Sequence, residues 1–192
     1  MHVMIDTETL GVQPDAALLQ VAVVAFEARD GGRVLNAPHQ VFNMYVTPSS
    51  CMALGGTFDD STFAWWLGQA KEARERVASA LSSGAAKPMA AVLNELVHWA
   101  PKDLGIQWSD IEGVWSHGAS FDIPLLLTYL GRMGYRSPWP FWNVRDTRTL
   151  FHLAGGTPPV DRAGYVAHDA LDDCLMQVSQ VQKAMGMLAK RG

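Results

Sequence analysis

The chain has 192 residues, 48% of them hydrophobic and 18% charged, which suits one compact domain over residues 1–192 with a sizeable core. It has no 18-residue apolar span and no signal-peptide core, so we expect a cytoplasmic protein without membrane contact. The net charge of −4 argues against a nucleic-acid partner, unless bound cations offset the acidic residues. Cys51 and Cys174 lack C-x-x-C spacing, so reduced thiols are expected.

The start of the chain predicts three strands joined by turns. Apolar segments over residues 2–6, 17–26 and 40–47 have strand composition, and Pro48 closes the last of them. Glycine and proline mark the turn at residues 11–15, and Asp30-Gly31-Gly32 marks the next. Sequential strands with short connections predict an antiparallel meander.

The rest of the chain predicts mostly helices. Helical periodicity and capping residues predict helices through residues 63–67, 71–81, 89–100, 123–133, 147–153 and 169–188. Strand composition is found over residues 111–115 and, more weakly, over 141–144. Prolines and glycines predict a loop over residues 155–164. This order indicates an α/β fold, with a mixed sheet of about five to six strands covered by helices.

Two carboxylates stand at the end of the first predicted strand. Asp6 and Glu8 are two residues apart, so they project from one face of a strand while Thr7 turns away. Neighbouring buried carboxylates repel each other unless a cation lies between them, and Mg2+ or Mn2+ prefers such oxygen ligands. An isolated D-x-E triplet is weak evidence, because it also fits a strand that simply ends in solvent.

Two further acidic motifs follow along the chain. Asp122 opens a predicted helix, where a carboxylate also complements the helix dipole. His168 precedes the last predicted helix, whose first turn carries Asp172 and Asp173. These two acids lie at opposite edges of the apolar stripe, so periodicity leaves open which of them faces a site. A lone histidine before a helix is commonly a cap or a surface residue.

Taken in order, Asp6/Glu8, Asp122 and His168/Asp173 resemble the DEDDh subclass of the DnaQ-like exonucleases, the RNase T superfamily, which has an RNase H-like fold. A branch of phage and bacterial proteins, described as exonuclease VIII-like or as 3′-to-5′ exoribonucleases, is more similar still. The segments that carry this similarity are Asp6-Thr7-Glu8-Thr9-Leu10-Gly11, Thr62-x-x-Trp65-Trp66-x-x-Gln69, Trp115-x-His117-Gly118-Ala119-x-Phe121-Asp122, Arg145-Asp146-x-Arg148-Thr149-Leu150 and His168-x-Ala170-Leu171-x-Asp173. The sister DEDDy subclass has a tyrosine where this chain has Asp169.

The resemblance implies a two-metal exonuclease. Asp6, Glu8 and Asp173 would hold one Mg2+, and Asp6 with Asp122 would support a second, with Mn2+ as a substitute. His168 would take the proton of the attacking water, and nucleoside 5′-monophosphates would leave one at a time from a 3′ end.

The expected substrate is single-stranded or 3′-overhang RNA or DNA, with RNA slightly favoured, and relatives in this superfamily often work as homodimers. The candidate substrate-binding residues are Thr9, Leu10, Gly11, Trp66, Phe121, Arg145 and Arg148. For most aromatic residues, packing in the core is the simpler explanation, and Arg145 and Arg148 fit a solvent-facing helix start equally well.

Other functional interpretations also fit the sequence. A DNA-directed processing or proofreading exonuclease fits the same motifs, because a contact to the 2′-hydroxyl cannot be read from the sequence. A noncatalytic nucleic-acid-binding module would not need a complete metal cluster. A structural subunit with incidental acids would leave the spacing from His168 to Asp173 unexplained.

Overall fold

The sheet is built around its first strand, which pairs antiparallel with the second strand and parallel with the fifth. The computed structural model describes residues 1–190. The strands are β1 (His2–Thr9), β2 (Leu18–Phe26), β3 (Val34–Leu35), β4 (Val41–Tyr45), β5 (Gly113–Ser116) and β6 (Val144–Asp146). Their order in the sheet is β3-β2-β1-β5-β6, and β4 also pairs with β2, beside β3.

Helices cover both faces of this sheet. They are α1 (Pro48–Ala53), α2 (Asp60–Leu67), α3 (Lys71–Ser82), α4 (Met89–Trp99), α5 (Asp122–Arg132), α6 (Thr147–Ala154) and α7 (Ala170–Ala189). None of the helices within residues 1–190 has the length and apolar content needed to cross a bilayer.

The core lies in two layers because alternate residues of a strand face opposite sides of the sheet. Ile5 of β1 packs on one face, in a cluster with residues of α4 and α5 such as Leu93 and Leu126. Met4 packs on the other face, in a cluster with residues of α6 and α7. All nine residues of β2 are buried, as expected for a strand with helices on both sides.

The structure confirms the predicted α/β fold with a mixed six-stranded sheet and an antiparallel start. The first strand runs on to Thr9 instead of ending at Asp6, since residues 7 and 8 pair with Val21 and Gln20. Because residues 7–9 have polar side chains, the hydrophobic pattern did not indicate that the strand continues past Asp6.

Other boundaries differ from the prediction. The prediction of a strand over residues 141–144 is wrong. Phe141–Asn143 forms a short 3-10 helix, and the strand is Val144–Asp146. The side chains of Phe141 and Trp142 are 81% and 66% exposed, so aromatic content there does not signal a buried strand. Pro48 closes a strand as expected, but it also begins α1, where its missing N–H costs no helical hydrogen bond.

Candidate active site

The five predicted motif residues line a single cavity of about 280 Å³ at the end of β1, which we call the acidic cavity. β1 contributes two of them, and the others come from the starts of α5 and α7, which lie on opposite faces of the sheet. The five residues are Asp6, Glu8, Asp122, His168 and Asp173.

Asp122 reaches the cavity from the first turn of α5. Its side chain is buried, and its Oδ1 accepts a hydrogen bond of 2.7 Å from Thr7 Oγ1. Thr7 projects from the face of β1 opposite to Asp6, as expected, since Thr7 bonds α5 and Asp6 bonds α7, and Thr7 also lines the cavity. The alternation along β1 holds, but the cavity lies at the end of the sheet, where residues from both faces meet.

The start of α7 distinguishes the two adjacent aspartates that the helical wheel could not. Asp173 faces the cavity, where its Oδ2 accepts a hydrogen bond of 3.1 Å from the backbone N–H of His168. Asp172 instead pairs with Arg76 of α3 at 2.8 Å. Donor atoms of Glu8, His168 and Asp173 lie within 4.8 Å of one another, a spacing at which they could hold a metal ion.

Burial and mutual repulsion make the carboxylates of this cavity hard to ionise together. Burial raises the pKa of Asp6 well above its usual range, and the neighbouring carboxylates raise it further. The pKa of Glu8 is raised in the same way, first by burial and then by Asp173. Burial raises the pKa of Asp122 to about 6, although the hydrogen bond from Thr7 opposes the shift. The pKa of Asp173 is raised by burial as well.

This donor set fits a divalent cation. Carboxylate oxygens are the ligands that Mg2+ and Mn2+ prefer, and a cation would relieve the repulsion that raises these pKa values. Among the described residues, no lysine or arginine lines the cavity to offset the charge. Gln177 donates a hydrogen bond of 2.9 Å to Asp6 Oδ1 and so orients that carboxylate, while its own Oε1 is buried without a partner in residues 1–190.

A second cavity of about 470 Å³ adjoins the first, and Glu8 and Phe121 line both. The predicted substrate-binding residues Thr9, Gly11 and Trp66 also line it. The Trp66 ring is buried, and its Nε1 donates a hydrogen bond of 2.8 Å to the backbone oxygen of Thr9. Its place in the wall of the cavity is therefore fixed.

The remaining substrate-binding candidates lie elsewhere. Leu10 is buried and lines a separate apolar groove between α2 and α3. Arg145 lies in the edge strand β6, where its guanidinium bonds backbone oxygens of Trp142, Val144 and Glu112 near the far end of the sheet. It lines neither cavity described here. Its role in substrate binding stays a prediction, as does that of Leu10.

Arg148 lies nearer to the acidic cavity. A Cβ at Gly118 would lie 3.5 Å from its guanidinium, which is ordinary van der Waals contact, while the φ of 113° at Gly118 is a conformation that suits glycine. Burial lowers the pKa of His117, which lines the cavity, and the Arg148 charge lowers it further. Arg148 is thus close enough to influence the electrostatics of the site.

Three further residues lie at the site: Gln177 was not singled out from the sequence, whereas His117 and Trp65 stand in segments that carry the family similarity. His117 lies in the same segment as Phe121 and Asp122, and its Nδ1 is 2.7 Å from Thr147 Oγ1. Gln177 stands one helical turn after Asp173, a spacing that places both on one side of α7. The Trp65 ring packs edge-on against His168, with ring centroids 4.8 Å apart. Spacing could have found Gln177, but only the tertiary structure places Trp65.

Comparison with solved structures supports the fold. E. coli exonuclease I in complex with a 5cy-dA13 oligonucleotide matches 95% of this chain with a TM-score of 0.61 and 14% identity. The metal-free form of the E. coli exonuclease I complex with single-stranded DNA matches 99% of it, with a TM-score of 0.59 and 13% identity. The chain spans only 40% of the length of exonuclease I in both cases.

Sequence comparison gives a relative of similar length. The exodeoxyribonuclease of Enterobacteria phage T4 is 28% identical over an aligned length of 212 positions, and the alignment covers 96% of this chain and 90% of the relative. The fold, this match and a family model that covers most of the chain together define an RNase H-like phosphodiester hydrolase of the DnaQ-like 3′-5′ exonuclease class. The family model described as the 3′-5′ exoribonuclease Rv2179c-like domain matches residues 1–185. The chain belongs to this family, and the resemblance to DnaQ-like exonucleases is confirmed.

Proposed function

We propose that this 3′-5′ exonuclease uses two divalent metal ions and releases nucleoside 5′-monophosphates from single-stranded or 3′-overhang nucleic acid, with RNA slightly favoured. The observation that carries the proposal is the convergence of Asp6, Glu8, Asp122, His168 and Asp173 on one cavity. Among the described residues, no lysine or arginine lines this buried carboxylate cluster, an arrangement that is unfavourable for stability alone and suitable for binding cations.

Four of these residues would bind the metal ions, and the fifth would accept a proton. Asp6, Glu8 and Asp173 would hold one Mg2+, and Asp6 with Asp122 would hold the second, with Mn2+ as a substitute. When bound, these cations would activate water and stabilise charge on the scissile phosphate and the leaving oxygen. The His168 imidazole stands among the carboxylates and is suited to accept the proton of the attacking water.

The neighbouring cavity would receive the 3′-terminal nucleotide. Its wall offers Trp65, Trp66 and Phe121 as apolar surfaces for a base, directly beside Glu8. Arg148 is placed to approach a phosphate next to the acidic cavity, whereas Arg145 would reach substrate only in trans across a homodimer. The preference for RNA rests on the family description, and the T4 relative supports DNA as the second candidate substrate.

A labelled-substrate assay tests this proposal. Single-stranded RNA, single-stranded DNA and 3′-overhang duplexes, each labelled at the 5′ or the 3′ end, are incubated with Mg2+, Mn2+ or chelator. We expect stepwise shortening from the 3′ end that requires metal, and loss of cleavage in Asp6→Asn. Asp103→Asn, an exposed acid outside the site, serves as the matched control. Full activity of Asp6→Asn in saturating Mg2+ would refute the proposed metal site.

A further inference from the structure

The loop that carries His168 is held from the side by α2 and α3. Trp65 of α2 packs its ring against the imidazole, and Arg76 of α3 reaches the start of α7 directly after the loop. Neither α2 nor α3 contributes a motif carboxylate to the acidic cavity. Their contacts to the loop therefore call for a separate explanation.

Arg76 bridges two carboxylates in the first turns of α7. Its Nη1 lies 3.0 Å from Asp169 Oδ2 and 2.8 Å from Asp172 Oδ2. The same Asp172 oxygen accepts a hydrogen bond of 2.9 Å from the backbone N–H of Val166, two residues before His168. One guanidinium thus ties together the residues on both sides of the histidine.

Asp169 depends on this contact because its side chain is only 5% exposed. It caps α7 by accepting from the backbone N–H of Asp172, and its Oδ2 also accepts a hydrogen bond of 3.1 Å from the Tyr45 hydroxyl. A buried carboxylate requires a partner of opposite charge, and within residues 1–190 the ion pair comes from Arg76. Without it, the cap next to His168 would hold an uncompensated charge.

His168 also has an unusual backbone conformation. Its φ of 64° lies in the left-handed region, and it is the one non-glycine residue with a positive φ in the described part of the chain. Such a conformation persists only where surrounding contacts hold it. The flanking contacts are the Val166 and His168 N–H bonds to Asp172 and Asp173, and the Arg76 bridge that fixes Asp172 and Asp169.

We propose that Arg76 is a positioning residue of the nuclease reaction: by bridging Asp169 and Asp172 it keeps residues 166–169 in the conformation that points the His168 imidazole into the acidic cavity. This inference rests on the proposed role of His168 as the proton acceptor. Arg76 does not touch the reacting atoms. Its effect reaches the reaction through the orientation of one side chain.

Three variants on α3 test this role by kinetics. Arg76→Met removes the charge while keeping much of the length, and Arg76→Lys keeps the charge without the planar fork. Arg74→Met removes an exposed arginine of the same helix and is the matched control. With RNA as substrate and saturating Mg2+, we expect Arg76→Met to lower kcat about tenfold to a hundredfold with little change in KM. Arg76→Lys should recover part of this loss, and Arg74→Met should behave as the wild type.

A second readout separates positioning from damage to the metal site or the fold. Calorimetric titration with Mn2+ should give Arg76→Met an affinity close to that of the wild type, because Arg76 contacts none of the proposed ligands. In a His168→Ala background, Arg76→Met should cause no further loss of kcat, because its effect passes through the imidazole. An equal additional loss in that background would overturn the proposal, as would wild-type kcat in folded Arg76→Met.

The controls keep the two proposals apart. Wild-type turnover in His168→Ala would refute the proposed role of the imidazole, whatever Arg76 does. If Arg76→Met shows no cooperative thermal transition, Asp172→Asn takes its place, and its kcat is compared in the wild-type and His168→Ala backgrounds. Its amide oxygen can still accept from Val166 while the ion pair to Arg76 is lost, so a smaller loss of kcat is expected. No loss in that variant would overturn the inference.

Discussion

Replacing Asp122 by asparagine should stabilise the metal-free protein while destroying its activity. Burial raises the pKa of Asp122 to about 6, so the carboxylate is ionised at pH 7.5 at a free-energy cost to the folded state. Asparagine has nearly the same shape and keeps the oxygen that accepts from Thr7 Oγ1. The substitution therefore removes the charge without emptying the space it occupies.

The size of this effect follows from the shift in pKa. A rise from 3.8 to about 6 corresponds to about 3 kcal/mol of differential interaction between the two protonation states. Asp122→Asn should raise the free energy of unfolding by up to that amount at pH 7.5. For a domain of this size the melting temperature would rise by roughly 6 to 12 °C.

The pH dependence gives the sign of the effect. The folded pKa of Asp122 is above the unfolded value, so the cost of ionisation is fully present above pH about 6 and disappears as the pH falls below about 4. Urea unfolding in chelator at pH 7.5 and at pH 4 measures both limits, with Asp103→Asn as the exposed control. The stabilisation should be large at pH 7.5 and nearly absent at pH 4.

Added metal should reverse the order of stability. In saturating Mn2+ the wild type gains binding free energy that the Asp122→Asn variant largely loses. If the metal-free variant is no more stable than the wild type at pH 7.5, or is equally stabilised at both pH values, the electrostatic reasoning for this cavity is refuted.

Three further outcomes are expected. His168→Ala should lower kcat by about 10²- to 10⁴-fold in a product-ladder assay, and unchanged turnover would contradict its role as the proton acceptor. Removing metal with chelator should abolish cleavage, and Mg2+ or Mn2+ should restore it; cleavage of labelled RNA that persists in chelator would argue against metal dependence. Trp65→Ala should weaken binding of a single-stranded oligonucleotide, measured by fluorescence anisotropy with Asp6→Asn protein, by about 1–3 kcal/mol if a base stacks there. Equal affinity would assign Trp65 to packing against His168 alone.

The five motif residues lie together as expected, whereas several element boundaries differ from the prediction. The spacing left each acidic motif ambiguous, and the family resemblance selected the five residues that the structure places around one cavity. Their roles there stay a prediction. The choice between Asp172 and Asp173 was beyond periodicity, because the ion pair that draws Asp172 away comes from Arg76, 96 residues earlier. Such long-range pairing leaves no local signal in the sequence.

The errors in the fold have related causes. The strand predicted at residues 141–144 was inferred from aromatic content, yet Phe141 and Trp142 face solvent. The extension of β1 through Thr7 and Glu8 was missed because their polar side chains serve the site while their backbone continues the ladder with β2. Hydrophobic patterning identifies strands by their buried faces and fails where the chemistry of the site occupies that face.

The assembly of the acidic cavity from both faces of the sheet has a consequence for synthesis. Under the proposed roles, a growing polypeptide that has not yet reached residue 173 lacks the last carboxylate, and before residue 168 it lacks the imidazole as well. It also lacks α7, whose packing on β1 and β2 completes one layer of the core. The emerging chain would therefore remain inactive as a nuclease until residue 173 and the rest of α7 have been synthesised and packed on the sheet.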